Sequence, residues 1–403
     1  MVPQLWCSLS VSPDMPGPFD SEILLKSTIL VNKSINTGNV WFRRAGSAGM
    51  LSLSLRSGYM EEQALCHLVD ELIIPRVDQF RDLELVSSRL TPFSLLLSLP
   101  PGSAQSLKSL VLGVEGGVSV TIFESAPRLQ RACVSGIYGN DRLLPWSQLT
   151  HLKIAQYLSA PRWISLITQC VNLQEGDFAV RGVDASTLPG NRDDITIPDL
   201  RSLAVKFIGG DSSLFNQFYF PSLRKFRLDA ELILGRDGWL EPTRFYGQLS
   251  SLRSLSLINK AINAQNLIQL LRCTTSLVEL ELDNNLDYGS LLRSLIYIDQ
   301  SANLIPRLEA ITLYLGVGTL SAFPSHVFVN MVHSRQWAYM NPPKSASRLR
   351  RVSLFTLNEW RVVLNEVNAW LEPHRLYNGQ LVTELKVVPL LPQADDRVEM
   401  AHW

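Results

Sequence analysis

Along most of this chain the apolar residues fall into one short figure, L-x-x-L-x-L, with Phe, Ile or Val standing in at times. It appears as FRDLEL from Phe80, LKSLVL from Leu107, LTHLKI from Leu149, LRSLAV from Leu200 and LRKFRL from Leu223. It continues as LRSLSL from Leu252, LVELEL from Leu277, LEAITL from Leu308 and LRRVSL from Leu349, with weaker copies from Leu129, Leu173 and Val382. Successive starts lie about 27 residues apart over the whole run and about 24 apart from Leu107 to Leu277, within the roughly 20–29 of leucine-rich repeats. Alternate side chains of a strand point the same way, so the second and third apolar positions of each hexad face inward together. The first packs at the corner before the strand. One such strand cannot bury its inner face alone, whereas many stacked in parallel share a continuous core.

Between hexads lie helical stripes. NAQNLIQLLRCTTSL carries Leu267, Ile268, Leu270 and Leu271, and PRWISLITQCVNL carries Trp163, Ile164, Leu166 and Ile167. Apolar residues at i, i+3 and i+4 suit a helix docked on a sheet. GVEGGV (113–118), GGDSS (209–213) and MNPPKSAS (340–347) read as loops, the last inside the longest step. Upstream, MLSLSL (50–55) alternates as a strand, and YMEEQALCHLVDELIIPRVDQF reads as a helix until Pro75. These form an atypical first turn, as capping turns do. The expected fold is α/β: a leucine-rich-repeat solenoid, a right-handed βα coil with a curved parallel sheet on the concave face and helices on the convex face. Residues 1–60 form an N-terminal flank and capping strand, 61–391 the repeat domain and 392–403 a tail.

Composition narrows the function classes. Hydrophobic residues make up 46% of the 403 and charged residues 18%, which supplies a large core. Lys plus Arg and Asp plus Glu number 37 each, so no bulk field draws the protein to nucleic acid or an anionic membrane. The five cysteines, Cys7, Cys66, Cys133, Cys170 and Cys273, are spread singly, which opposes a disulfide framework or zinc site and fits a reducing compartment. The most apolar run, LTPFSLLLSL (90–99), is half the length a membrane helix needs. No secretory signal is legible at the N-terminus. The expectation is a cytoplasmic or nuclear protein without cofactor or metal.

Several motifs are more particular than the hexads. LPWSQLTHLKI (144–154), followed by a helix and CVNLQEGDF, resembles the repeat region of fungal F-box proteins, above all those of mushroom-forming fungi. LLRCTTSLVELEL has the same helix–Cys–strand cadence. In that family the F-box is followed by P-x-L-W-x-S-L-S, a tryptophan helix and a short L-S-L-S-L strand. Here VPQLWCSLSV, VWFRRAGSAG (40–49) and MLSLSL hold those places, so the opening MVPQLWCSLS reads as the middle of a domain. The resemblance implies the substrate-recognition part of an F-box receptor of a cullin-type ubiquitin ligase. The F-box precedes this passage in the family and is missing from these residues, so a Skp-type adaptor is expected only where an F-box lies upstream. The alternative is a free-standing leucine-rich-repeat scaffold or a truncated relic without a ligase role.

No G-x-S-x-G, P-loop, H-E-x-x-H or G-x-G-x-x-G occurs, and the six histidines are scattered, so the expected activity is non-enzymatic protein binding. Cys170 and Cys273 occupy equivalent places after a helix, as reactive thiols or small buried hydrophobes. Residues alternating with the inward leucines face out of the sheet. They include Asp82 and Glu84, then His151 and Lys153, Glu175 and Asp177, Lys206, Lys225 and Arg227, then Glu279, Glu281 and Asp283, and finally Arg351. The charge sign changes in blocks, as a docking groove for a complementary protein requires or as solubility alone permits. Trp163, Trp239, Trp337, Trp360 and Trp370 are binding anchors or packing residues, with Trp337, near the long insertion, the first to test.

Overall fold

The architecture comes from a computed structural model, which describes residues 8–11, 21–45, 50–57, 62–87, 91–116, 120–137, 143–183, 195–210, 212–232, 244–259, 262–283, 287–298, 303–315, 323–337, 347–356, 365, 367–369 and 382–387. They divide into two compact units, one running to Gln156 and including Gln169–Leu173, the other taking Tyr157–Thr168 and continuing from Gln174. Each is α/β with parallel strands.

The first unit contains β1 (Ser8–Val11), α1 (Ser21–Ala45), β2 (Leu51–Ser57), α2 (Glu62–Leu68), β3 (Phe80–Ser87), α3 (Ser94–Leu97), β4 (Ser109–Gly116), β5 (Arg131–Ile137) and β6 (His151–Ser159, its share ending at Gln156). The strands pair in chain order, all parallel. β1 was not foreseen as a strand; it holds Ser8 beside Ser52 and Val11 beside Leu55. Residues 1–7 of the opening decamer lie outside the described residues. α2 does not stop the helical path at Pro75. A π-type turn (Val69–Ile73) and a 3-10 turn (Ile74–Gln79) follow it, with Pro75 in the first turn of the second, where a missing N–H costs nothing. Arg76 ties this path to α1: Nη2 donates to Asn39 Oδ1 at 2.7 Å, and the guanidinium lies 5.5 Å from the Phe42 ring.

The second unit contains α4 (Ala160–Gln169), β7 (Glu175–Val183), β8 (Ile195–Thr196), β9 (Ser202–Gly210), β10 (Phe218–Tyr219), β11 (Lys225–Leu232), α5 (Arg244–Gly247) and β12 (Ser254–Asn259). α6 (Ala264–Cys273), β13 (Glu279–Asp283), α7 (Tyr288–Leu295), β14 (Ala310–Leu315), α8 (Ser325–Trp337), β15 (Arg351–Thr356) and β16 (Val382–Val387) complete it. Its sheet runs β7-β9-β11-β12-β13-β14-β15-β16, parallel throughout, and β8 pairs with β10 alone. Neither run closes into a barrel within its unit.

Each hexad fulfils its physical role. The corner leucines Leu107, Leu149, Leu200, Leu223, Leu252, Leu277, Leu308 and Leu349 are fully buried. The residue after each donates its N–H to the matching carbonyl one repeat earlier. Arg224 bonds Arg201, Arg253 bonds Arg224, Val278 bonds Arg253, Glu309 bonds Val278 and Arg350 bonds Glu309, all at 2.7–2.8 Å. The chain therefore re-enters the sheet at the same height in every repeat, which keeps the inward leucines aligned. Leu255 faces Leu280, and Leu257 faces Leu282.

Both helical stripes form as expected, burying Trp163, Ile164, Leu166 and Ile167 on α4 and Leu267, Ile268, Leu270 and Leu271 on α6. Trp163 meets the rings of Phe218, Phe178 and Phe215 at 4.9, 5.9 and 6.2 Å. The glycine-rich stretches differ from expectation: Gly113 to Gly116 continue β4 and Gly209–Gly210 end β9. The step after Leu308 holds an unexpected helix, α8. Its Arg335, 1% exposed, donates Nε to Leu295 O at 2.7 Å, Nη2 to Leu304 O at 2.7 Å and Nη1 to Ile305 O at 3.1 Å. The guanidinium thus serves a carbonyl at the end of α7, where a cation is favoured, and the turn at Ile305, whose φ is +42°. Residues 338–346 of the expected insertion and the tail 392–403 lie outside the described residues.

Candidate functional site

The register turns the outward positions into rows. In the second unit one row reads Glu175, Ser202, Lys225, Ser254, Glu279, Ala310, Arg351. The next reads Asp177, Ala204, Arg227, Ser256, Glu281, Thr312, Ser353. From β7 to β13 on both rows, charge falls on alternate strands: negative on β7, positive on β11, negative on β13; beyond it the second row carries no charge on β15 and reaches Glu384 on β16. On the first row β15 is positive again. Serine, alanine and threonine fill the strands between. Charged strands therefore stand two spacings apart, roughly 9–10 Å, with low ground between them. This is finer than the blocks expected from the sequence. A third row places Lys206 beside Asp229 and Asp283 beside Tyr314.

Glu175, Lys225, Arg227, Glu279 and Arg351 are exposed, and Asp177, Lys206, Glu281 and Asp283 are half-buried. In the first unit, the corresponding rows run Ser52, Asp82, Ser109, Arg131, His151 and Ser54, Glu84, Val111, Cys133, Lys153. Here Asp82 accepts from Ser52 Oγ at 2.7 Å and Glu84 from Ser54 Oγ at 2.6 Å and Arg56 Nε at 2.7 Å, so both carboxylates are engaged within the fold. His151, half-buried, shares a 2.8 Å hydrogen bond with the Thr150 hydroxyl. Lys153 corrects the expectation of an exposed outward residue: it is 8% exposed, beside Cys133 at 2%. Alternation fixes the face on which a side chain stands, but neighbouring side chains decide its exposure. Trp337 ends α8, and its side chain lies outside the described residues, as do Trp239, Trp360 and Trp370.

A hollow of the charged face lies over β12 to β15. Ser254, Glu279, Leu280, Glu281, Ala310, Thr312, Tyr314, Arg351, Ser353 and Phe355 line about 270 Å³. Ala310 is small enough for Arg351 to reach over it, placing Nη2 3.3 Å from Glu279 Oε1. Tyr314 stacks on Phe355, centroids 4.8 Å apart at 17°, and its hydroxyl donates to Glu281. Burial and then the Glu281 carboxylate push the phenol up to about 12, Asp283 adding and Arg227 opposing. Sequence reasoning placed the carboxylates here but missed Tyr314 and Phe355. Their alternation with Leu313 and Leu354 was the available signal.

Among the described residues no group of three or more His, Cys, Asp or Glu is placed to hold a metal ion. Burial raises the Cys170 thiol to about 12 from an ordinary 9, opposing the thiolate a nucleophile needs. Between those values the unfolded thiol ionises and the folded one does not, so this group's stabilising contribution is lost as pH rises through that window. Iodoacetamide at pH 8 should leave Cys170 unmodified in native protein and alkylate it after denaturation; mass spectrometry of the peptide checks this, and native alkylation would contradict the buried-hydrophobe role.

The geometry defines a parallel-sheet face ribbed by strands of alternating charge, with an aromatic and carboxylate-lined hollow. No protein-family model matches this chain, and comparison with curated proteins finds no match. Among the described residues no helix is long and apolar enough to cross a membrane.

Proposed function

We propose that the chain is a leucine-rich-repeat solenoid whose concave sheet face binds a protein partner without catalysis. The observation that carries this reading is the alternation of charge sign from one charged strand to the next on β7, β11, β13 and β15. Solubility needs polar outward residues, but it does not need their sign to alternate from β7 to β11 to β13 on two rows at once. A face so ordered rewards a partner of matching pattern and penalises others through like-charge contacts. The buried corner leucines and the repeated N–H bonds from one hexad to the last support the solenoid. The resemblance in LPWSQLTHLKI and MLSLSL supports a role as the receptor part of a cullin-type ubiquitin ligase.

Two experiments separate these levels. Reversing Glu279, Glu281 and Asp283 to Lys should abolish partner capture while leaving cooperative unfolding intact, because Glu279 is exposed and neither Glu281 nor Asp283 is fully buried, and surface changes cost about 0.5 kcal/mol each. Loss of the folded state would contradict the register. For the ligase role, a product extended upstream should co-purify with a Skp-type adaptor and a cullin. Partner capture without either would favour the free-standing scaffold.

A further inference from the structure

The hollow over β12 to β15 has the chemistry to choose one kind of side chain. At about 270 Å³ it lies below the roughly 300–1,000 Å³ of ligand pockets and suits a single inserted residue. Two carboxylates, Glu279 and Glu281, stand on one wall and the stacked Tyr314–Phe355 pair on another. A guanidinium already lies at this edge: Arg351 contacts Glu279 through one nitrogen at 3.3 Å, both side chains about half exposed. Exposed pairs of this kind contribute roughly 0–1 kcal/mol, so Arg351 is easily moved aside.

We propose that this hollow receives an arginine side chain presented by the protein partner, its guanidinium paired with Glu281 and Glu279 and stacked against the Tyr314–Phe355 wall. Arginine fits where lysine does not. Its plane lies flat on aromatic rings, and its five donors can serve two carboxylates together. Lysine offers the charge without the plane, and citrulline offers the plane without the charge. The inference rests on the reading of this face as a protein-binding surface and names what that surface selects.

The test uses the whole chain and three small probes, N-acetyl-arginine amide and its lysine and citrulline counterparts, followed by methyl NMR of Leu280, Ala310 and Thr312. The arginine probe should shift these methyls with at least tenfold higher affinity than citrulline and measurably higher affinity than lysine. Glu281→Gln should weaken arginine binding about tenfold. Arg351→Gln, which removes the internal competitor and a like charge, should strengthen it. Equal response to arginine and citrulline, no response to arginine, or weakening by Arg351→Gln would each overturn the proposal. Should the arginine probe fail while reversal of the acidic strand still abolishes partner capture, the arginine site is wrong and the protein-binding face stands. Should the probe bind while capture survives reversal, the site holds and the broader reading fails.

Discussion

Replacing Arg335 with methionine should destabilise the second unit by about 2–6 kcal/mol, a large share of the roughly 5–15 kcal/mol that holds a domain together. The substitution preserves much of the side-chain volume but strands the carbonyls of Leu295 and Leu304, which the guanidinium bonds at 2.7 Å each, while the Ile305 carbonyl loses its 3.1 Å bond and keeps the Leu308 N–H at 3.2 Å. Each orphaned buried acceptor costs about 1–3 kcal/mol. Lysine should restore only part of the loss, because one ammonium cannot take the place of a fork spanning three carbonyls. Thermal unfolding followed by circular dichroism measures the effect. A methionine variant as stable as the parent would show that α8 is not pinned by this residue.

The second large effect is expected at Trp163. Truncation to alanine should cost about 3–5 kcal/mol, as for other fully buried aromatics. The side chain is wholly buried and touches Phe178, Phe215 and Phe218, so the space it leaves cannot collapse without moving β7 and β10. Phenylalanine at the same position should cost far less. The indole Nε1 has no hydrogen-bond partner, and its loss relieves a penalty of about 1–3 kcal/mol while most of the apolar contact survives. Urea titration of the three proteins gives the order: parent, then phenylalanine, then alanine. Equal losses for both variants would contradict filled volume and the orphan N–H as what sets the stability here.

These two residues also show what the sequence could and could not reveal. Trp163 sits in a clean amphipathic stripe, so α4 was legible, as was α6, and the hexads named every strand from β3 to β7 and from β9 to β16 apart from the two-residue β10. α8 was not legible. It buries Val327, Phe328, Val329, Met331 and Val332 together with Arg335 and Gln336, so its apolar residues trace no single face and its polar residues do not mark solvent. β8 and β10, two residues each, carry no period at all.

For the candidate site, the outward residues were legible because alternation within a strand is local. Their arrangement across the sheet was not, since steps between hexads vary in length and only the folded register sets Glu279 between Ser254 and Ala310. The same limit applies to Lys153, whose burial beside Cys133 on the neighbouring strand no local alternation announces.

The central claim is that the sheet face, rather than the helical face, meets the partner. Proteins retained from a lysate of the source organism should be quantified on three baits: the parent, the Glu279/Glu281/Asp283→Lys variant, and a control in which exposed helical residues Arg272 and Arg293 are changed to Glu. The account predicts that a common set of proteins binds the parent and the helical control and is absent from the sheet-face variant. Retention of the same set by all three, or its loss only from the helical control, would contradict it.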